Sequence, residues 1–411
     1  MMSTQSTSTS TQSSYTFQWI ALLGLLTALG PLSIDMYLPA LPEMAKEFGT
    51  TTQSISSSVP AYFLGLAIGQ LIYGALSDRI GRKAPLYIGL VIYVIASLLC
   101  AFAMNETTLI MARVLQALGG CVGVVMARAA IRDSFDTATS AQALAHMTLI
   151  LGLAPILAPI VGAYLLQLLN WQMIFVVLAV IGLITLLLVH FSFKETLPES
   201  RRLKLNAQQI IGQYGNLLAD KSFRTPMLAM SLLSGLLFCY ITSSSALIIE
   251  DLGFSQQQFG LIFGANACGI IIFSVINSRL VKKVGVLPLL HFGSSLQMMG
   301  AVLLALMAYL PEPNLMVTLL GLFLVVSAIG LIGPNATALA LSKQQKRAGA
   351  ASALLGSVQF GFGLLAGVIL YHLSWTTLAN MSVVMLAYVV LGSLCVAMLR
   401  IQAKKQTKAK A

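Results

Sequence analysis

Two charged residues, Asp35 and Arg113, lie within the long apolar stretches of this 411-residue sequence. A carboxylate at hydrocarbon depth costs about 2.5–3.5 kcal/mol on membrane-insertion scales, so a chain seldom keeps one without a use for it. Arginine stays charged at that depth and needs a partner, and Asp35 is the candidate. We expect this pair to bind and release a proton or a cation along a transport path.

Two opposing effects would control the charge on Asp35. A neighbouring guanidinium favours the ionised carboxylate, whereas burial in an apolar environment favours the protonated form. Movement of the helices can change which effect dominates, so that the carboxyl group takes up a proton on one side of the membrane and releases it on the other. Asp35 and Arg113 are therefore the predicted proton-coupling residues.

The composition predicts that membrane-spanning helices carry these residues. Apolar residues make up 57% of the chain and charged residues 9%, and the mean hydropathy is +0.87. A soluble domain has about 25% charged residues. Twelve apolar windows are each long enough to cross about 30 Å of hydrocarbon as a helix and too long for barrel strands of about ten residues. The windows are 17–41, 56–76, 84–103, 107–127, 141–166, 170–192, 226–249, 256–277, 286–309, 314–336, 348–371 and 376–399.

The net charge of +11 is explained by membrane topology rather than by nucleic-acid binding. If both termini and the even-numbered connections are cytoplasmic, all 24 Lys and Arg residues except Lys46 and Arg113 lie on the cytoplasmic side. This asymmetry follows the positive-inside rule. We therefore expect a multi-pass protein of the bacterial cytoplasmic (inner) membrane with both termini in the cytoplasm, and no nucleic-acid partner.

The chain divides into two halves of six spans each. A polar connection at 193–224 separates residues 1–192 from residues 225–411, and the latter end in a basic cytoplasmic tail. A weak repeat supports this division, because Ser77–Lys83 is matched by Asn277–Lys283 at a spacing of 200 positions. We expect a disordered N-terminal tail over 1–15 and a short amphipathic helix over 206–219. The predicted fold class is all-α integral membrane, with twelve transmembrane helices in two pseudo-symmetric six-helix bundles.

Three further sequence motifs have residue types suited to conformational change. The connection after the second span reads Gly74-Ala-Leu-Ser-Asp78-Arg79-Ile-Gly81-Arg82-Lys83, in which glycine permits a tight turn and the charged groups can pair with one another. Span four contains Arg113-Val-Leu-Gln116-Ala117-Leu-Gly-Gly, and span five contains two prolines that kink a helix and small residues that allow close packing. The span-five motif is Gly152-Leu-Ala-Pro155-Ile-Leu-Ala-Pro159-Ile-Val-Gly162-Ala.

Together with the run Asp35–Pro42 (Asp-Met-Tyr-Leu-Pro-Ala-Leu-Pro), these motifs resemble the bicyclomycin-resistance (Bcr/CflA) branch of the drug:proton antiporters in the major facilitator superfamily. The departures are Ala117, where glycine is usual, and alanines replacing two glycines in span five. The resemblance implies a central cavity and efflux of lipophilic drugs, such as bicyclomycin or chloramphenicol, by alternating access. Proton entry supplies the energy, and no cofactor or metal is implied.

The resemblance also assigns roles to the motifs. The loop after the second span would be a cytoplasmic latch that holds the outward-facing state, and the span-five motif marks exporters. The predicted gating residues are Gly74, Asp78, Arg79, Gly81, Arg82, Pro155, Pro159 and Gly162. The predicted partners are protons, small-molecule drugs and the lipid bilayer, and we expect a monomer.

Polar and aromatic residues within the spans are candidates for the substrate cavity. The predicted lining residues are Asp35, Tyr37, Arg113, Tyr240, Phe263, Asn266, Asn335 and Gln359. The alternative for the polar members without charge is hydrogen bonding between helices. Phe63, Phe238 and Phe360 are candidates for an aromatic wall or for packing.

Other functions remain as alternatives. An exporter of a physiological metabolite, such as an amino acid or a sugar, would have the same fold but would need more fixed polar contacts. The sequence has neither an HExxH motif nor a nucleotide-binding Gly-x-x-x-x-Gly-Lys-Ser/Thr loop, so we do not expect an enzyme. A channel would differ by conducting much faster than a rocking carrier.

Overall fold

The computed structural model describes residues 17–135, 137–202, 207–344 and 347–408. Within these ranges the chain is almost entirely helical, has no strands, and contains twelve helices long and apolar enough to cross a membrane. The predicted N-terminal tail and the last residues of the basic C-terminal tail lie outside the described residues. The twelve predicted spans are confirmed, and several helices extend beyond their apolar windows.

We number the membrane-length helices as spans 1 to 12. Spans 1 to 6 are Phe17–Asp35 continued by Leu38–Ala40 and Leu41–Phe48, Thr52–Ser56 with Ser58–Ile80, Lys83–Ala101, Glu106–Ser134, Thr137–Leu168 and Trp171–Ser192. Spans 7 to 12 are Lys221–Ser245 with Ala246–Asp251, Gln256–Val284, Val286–Ala308, Leu315–Ser327 with Ile329–Leu341, Ala348–His372 and Thr377–Lys408. A short helical turn, Glu199–Arg201, and a linker helix, Ala207–Ala219, lie between spans 6 and 7.

Local sequence explains where the helices begin and turn. The Asn105 side chain accepts a hydrogen bond from the Thr108 amide at the start of span 4, and Ser255 does the same for Gln258 at the start of span 8. The turns from span 2 to span 3 and from span 8 to span 9 each contain a glycine with positive φ, Gly81 at +98° and Gly285 at +93°. Only glycine adopts this backbone conformation without strain, so both turns depend on it.

Spans 1 to 6, which we call the N-half, pack around span 4. This helix contacts spans 1, 2 and 3, and glycines at the crossings bring the backbones together. A Cβ on Gly123 would overlap the Leu26 carbonyl oxygen of span 1, and one on Gly65 of span 2 would overlap the Val114 carbonyl oxygen. In spans 7 to 12, the C-half, span 7 packs against spans 10, 11 and 12.

The two halves meet along two helix pairs, span 2 with span 11 and span 5 with span 8. The end of the bundle that carries Arg82, Arg132 and the linker helix is called the basic end here. The halves are in contact at this end, where a Cβ on Gly74 would lie 3.1 Å from Ala353, and also at the opposite end, where the Thr52 hydroxyl donates to Glu250 at 2.6 Å. The two halves are therefore in contact at both ends of the bundle.

The connection between the halves contains the predicted surface helix, observed as Ala207–Ala219. The Tyr214 hydroxyl donates to the Leu71 carbonyl of span 2 at 3.4 Å, whereas Leu217 is buried beside Phe223 of span 7. The linker helix thus contacts both halves. Residues 203–206, which precede this helix, are outside the described residues.

Candidate functional site

Asp35 lies where the first helix of span 1 ends. The chain leaves regular helix at Met36 and Tyr37 and then forms the short turn Leu38–Ala40, which contacts spans 5, 7 and 8. The Asp35 side chain is buried, with only 4% of its surface exposed. Among the described residues it has no hydrogen bond and no ion pair. Asp35 is therefore a buried carboxyl group at the seam between the two halves.

The C-half contributes the nearest polar cluster to this position. The Tyr240 hydroxyl lies within electrostatic range of Asp35 and accepts a hydrogen bond from the Asn266 side chain at 2.9 Å. The Tyr240 ring stacks on Phe263 with 5.1 Å between centroids. Four of the predicted cavity residues thus form one group with members from spans 1, 7 and 8: Asp35, Tyr240, Phe263 and Asn266.

Arg113 is fully buried in span 4, and aromatic rings of the N-half surround it. Its guanidinium carbon lies 4.2 Å from the centroid of Tyr37 and 4.3 Å from that of Tyr62. Its Nη1 donates to Gln116 Oε1 at 2.6 Å, whereas Nε and Nη2 have no partner among the described residues. Cation–π contacts of this kind are worth about 2 kcal/mol when desolvated, so the rings partly replace an anion.

The expected ion pair between Asp35 and Arg113 is not formed among the described residues. The physical reason is the direction of the side chains around the end of the helix. Residues two apart do not share a helix face, and Tyr37 is the one that covers the guanidinium. Asp35 therefore lies toward the C-half, and two nitrogens of Arg113, with three N–H groups between them, have no acceptor among the described residues.

Sequence reasoning missed most of the polar residues that support Arg113. Gln116 donates to the Ser97 hydroxyl at 2.8 Å, and Tyr37 exchanges a hydrogen bond with Ser58 at 2.9 Å. Gln116 could have been found, because it lies three residues after Arg113 and so shares its helix face. Tyr62 and Ser97 give no comparable signal in the sequence.

Like Tyr37, Tyr240 and Asn266, two further predicted cavity residues make hydrogen bonds between helices, which is the alternative that the sequence left open. Asn335 of span 10 donates to the side chain of Asn277 in span 8 and to the Leu331 carbonyl. Gln359 of span 11 donates to the Ser234 hydroxyl of span 7 at 3.1 Å. Neither has a described contact with Asp35.

An aromatic cluster spans the seam. The Phe63 ring of span 2 lies 4.6 Å from Phe238 of span 7 and 6.0 Å from Phe360 of span 11, measured between centroids. A Cβ on Gly363 would contact both Phe63 and Phe238. The cluster therefore provides apolar contact between the halves, where the sequence placed either a wall or packing.

The loop motif forms a charge network centred on Arg82, whose side chain is 2% exposed. The guanidinium contacts Asp78 and Asp133, each at 2.7 Å, and donates to the Ser77 hydroxyl at 2.8 Å. Glu195, which follows span 6, accepts from the backbone amides of Arg82 and Lys83. The network ties spans 2, 3 and 4 to the chain after span 6, so all its described charge contacts are within the N-half.

The other loop residues have distinct environments. Gly81 faces Glu195, and a Cβ at Gly81 would lie 2.5 Å from the carboxylate oxygen. Partial burial raises the pKa of Glu195, but hydrogen bonds from the backbone amides of Arg82, Leu197 and Lys83 outweigh it, and the pKa lies below its usual value. Arg79 is exposed and has no described charge partner.

The span-five motif lies directly beside Asp35. Pro155 and Pro159 are accommodated inside one helix, Thr137–Leu168. A Cβ on Gly162 would overlap the carbonyl oxygen of Met36, the residue after Asp35. A Cβ on Gly260 of span 8 would lie 3.2 Å from the Ile160 Cα and from the Pro159 carbonyl oxygen. Small residues on both helices therefore let span 5 pack between the end of span 1 and the C-half.

Chemically, this arrangement can hold a proton on a secluded carboxyl group close to an aromatic and amide surface. The described residues contain no group of three His, Cys, Asp or Glu side chains placed to hold a metal ion. The ionisable group at the centre is Asp35, and the buried cation nearby is Arg113.

Sequence comparisons identify relatives along nearly the whole chain. The sequence profile of the Major Facilitator Superfamily matches residues 23–368. The chain is 35% identical over 375 residues to the "Uncharacterized MFS-type transporter YdgK" of Bacillus subtilis (strain 168), covering 91% of this chain and 93% of that protein. It is 31% identical over 383 residues to the "Bicyclomycin resistance protein homolog" of Haemophilus influenzae, with coverage of 93% and 96%. It is 28% identical over 334 residues to "Multidrug resistance protein MdtL" of Shigella flexneri, with coverage of 81% and 83%.

Solved structures share the fold at low sequence identity. A D-xylose-proton symporter superimposes with a TM-score of 0.72 at 17% identity, covering 93% of this chain and 97% of that one. The human organic anion transporter MFSD10 gives a TM-score of 0.69 at 17% identity, with coverage of 93% and 99%. With the twelve apolar helices, these likenesses indicate a multi-pass membrane protein. Because the superfamily profile covers most of its length, the chain belongs to the Major Facilitator Superfamily of transporters.

Proposed function

We propose that this transporter exports lipophilic drugs from the bacterial cytoplasm in exchange for protons. The observation that carries the proposal is Asp35, a buried carboxyl group at the seam between the halves that has no counter-charge in the part of the chain that the structure describes. A buried charge without a partner is strongly unfavourable, so the proposal assigns the protonated form of Asp35 to this arrangement. The names of the bicyclomycin-resistance and multidrug-resistance relatives support drugs as the substrate class.

Arg113 gives the coupling its second state. Its Nε and Nη2 groups lack acceptors, so they can receive the carboxylate of Asp35 if the end of span 1 rotates toward span 4. That rotation would favour the ionised form and release the proton. Tyr37 covers the guanidinium in the present arrangement and would have to move aside.

The proposed cycle follows from these two states. Asp35 takes up a proton from outside, where the membrane potential contributes about 2.3 kcal/mol per charge per 100 mV to inward movement. The cavity then opens to the cytoplasm, Asp35 releases its proton, and a drug binds against the apolar and aromatic surface. Reprotonation from outside displaces the drug outward. According to the positive-inside rule, we propose that the basic end lies on the cytoplasmic side of the inner membrane. We also propose that the transporter works as a monomer.

Substrate recognition is proposed to be broad. Phe63, Phe238, Phe360 and Phe263 offer apolar surface, whereas Asn335 and Gln359 already use their amides between helices. A metabolite such as a sugar would need several free polar groups at fixed positions. Because Asn335 and Gln359 are already hydrogen-bonded, they are not free for such a substrate, which favours lipophilic drugs over the metabolite alternative.

The test is uptake of a panel of labelled compounds into inside-out vesicles, with and without an imposed pH gradient. We expect lipophilic drugs to accumulate when the vesicle interior is acidic and to leave when the gradient collapses. The matched control is the Glu43→Gln variant, because Glu43 lies in the short helix after Asp35 and is absent from the proposed site. Gradient-dependent uptake of amino acids or sugars, with no uptake of drugs, would contradict the proposed substrate class.

A further inference from the structure

A small cavity lies at the basic end, between span 4 of the N-half and span 11 of the C-half. Its volume is about 70 Å³, and its walls include Arg128, Arg132 and Gln70 on one side and Gly349 and Ser352 on the other. One water needs about 10–15 Å³ on the same measure, so the space suits several waters or one small polyatomic ion. We call it the arginine cavity.

The charges around the arginine cavity are not balanced within the described chain. Arg82 also lines it, but Asp78 and Asp133 neutralise that guanidinium at 2.7 Å each. Arg128 and Arg132 are both exposed and have no hydrogen-bond or ion-pair partner among the described residues. Arg128 and Arg132 therefore face a small space whose one described carboxylate, Asp78, is paired with Arg82.

A helix N-terminus adds further positive potential to the same space. Span 11 begins at Ala348 and has no side-chain cap, so the first amide groups of this 25-residue helix lack intrahelical acceptors. A Cβ on Gly349, in this first turn, would lie 3.3 Å from Arg132 Nη1. A guanidinium that close to a helix N-terminus is unfavourable unless an anion lies between them.

An unpartnered buried side chain completes the site. Gln70 is only 7% exposed, lines the cavity, and makes no hydrogen bond with any described residue. Its amide donors and acceptor are therefore available to a ligand or to water in the cavity. Ser352 supplies a hydroxyl from the C-half.

We propose that the arginine cavity binds a phosphate-type oxyanion that bridges the two halves. Arg128 and Arg132 would donate from span 4, and the first turn of span 11 would donate from its backbone amides. Asp78 is the one carboxylate in the lining, and its contact with Arg82 leaves the arginine cavity positive overall. The anion favours the arrangement in which the basic end is closed. This anion is neither the exported drug nor the exchanged proton.

The phosphate group can belong to free inorganic phosphate or to the headgroup of an anionic lipid, and two arms of one experiment separate these sources. The first arm measures the Tm of the full-length protein in detergent against inorganic phosphate at constant ionic strength. The second arm compares nanodiscs of phosphatidylcholine with nanodiscs containing phosphatidylglycerol, in a buffer without phosphate. A saturating increase in Tm is expected in at least one arm, of about 3 °C when the anion is roughly fifty-fold above its Kd.

The R128Q/R132Q double variant is the main comparison, and Arg279→Gln is the matched control. Arg279 is an exposed arginine near the end of span 8, where it corresponds to Arg79 in the sequence repeat, and it does not line the arginine cavity. We expect R128Q/R132Q to lose the saturating increase and, without any anion, to have a higher Tm than the wild type because repulsion is relieved. Arg279→Gln should retain the wild-type response.

Two results would overturn the proposal. The first is an equal increase in Tm for the wild type and R128Q/R132Q, which would be the general stabilisation that phosphate gives many proteins. The second is no wild-type-specific increase in either arm. Spin labels at Ser134→Cys and Ser342→Cys, one in each half, check whether the anion bridges the halves. Binding of the anion should narrow the distribution of distances between the two labels. These measurements need neither a drug nor a pH gradient, so they are independent of the proposed exchange.

Discussion

Replacing Gly162 with alanine tests whether the contact between spans 5 and 1 fixes the position of Asp35. The added Cβ would overlap the Met36 carbonyl oxygen, and that oxygen is part of the backbone, so no side-chain rotation can relieve the overlap. The helices must separate, or the end of span 1 must shift. Either change moves the residue next to the coupling carboxyl group.

The expected magnitude follows from two opposing contributions. Overpacking of a tight contact costs about 1–3 kcal/mol. Replacing a glycine inside a helix with alanine stabilises the folded protein by about 1 kcal/mol, because alanine has the higher helix propensity. The net loss is therefore up to about 2 kcal/mol, equivalent to a decrease in Tm of about 2 °C for a chain of 411 residues. We expect drug-driven proton exchange to decrease more steeply than the Tm, because the displacement is at the site itself.

Gly152→Ala is the matched control for this substitution. It lies in the same helix, but its new Cβ would meet only the Ile271 side chain, at 3.4 Å. We expect Gly152→Ala to be neutral or slightly stabilising and to retain exchange. The assay is thermal unfolding in detergent together with proton release on drug addition. Equal Tm values and equal exchange for Gly162→Ala and Gly152→Ala would refute the reasoning.

Three other predictions test separate parts of the structure. Arg113→Lys should lower drug-driven proton release by at least about tenfold, because an ammonium group cannot stack between two tyrosine rings as a guanidinium does. Proton release at the wild-type rate would contradict this role of Arg113. Gln53→Ala removes hydrogen bonds to the Leu370 and Tyr371 carbonyls at the end of span 11 and to the Leu373 carbonyl just after it, at 3.1 Å. This should weaken closure of the end opposite the basic end by about 1 kcal/mol, measured as a roughly fivefold increase in labelling of a cysteine placed there. The folded-state pKa of Glu195 is lowered, so its contribution to stability is present above its usual pKa of about 4.3 and is lost as the pH falls through the lower folded value. Glu195→Gln should reduce the Tm at pH 7 and flatten the decrease in Tm between pH 5 and pH 3, and an unchanged acid profile would oppose this explanation.

The sequence predicted the helices well because lipid imposes a simple rule on composition. Each span needs about twenty apolar residues, and the charged residues collect at the connections. The loop motif was also informative, since Asp78, Arg82 and Gly81 are close in sequence and their interactions are largely local. The division of the chain at 193–224 stays a prediction.

The arrangement around Asp35 could not be predicted from the sequence. Whether Asp35 or Tyr37 faces Arg113 depends on how the chain turns after the helix ends, which periodicity does not determine. The contact between Gly162 and Met36 joins residues more than a hundred positions apart. Asn335 could equally have lined a cavity, and its hydrogen bond to Asn277 depends on the packing of spans 8 and 10.

The most direct test of the exchange mechanism is proton release by the purified protein when a drug is added, compared between the wild type and Asp35→Asn. Asparagine keeps the size of the side chain but cannot exchange a proton, so a decrease in Tm is not expected to explain the result. The account predicts drug-dependent release of protons from the wild type and none from Asp35→Asn. Release of equal size from both proteins would contradict the assignment of Asp35 as the proton-carrying group.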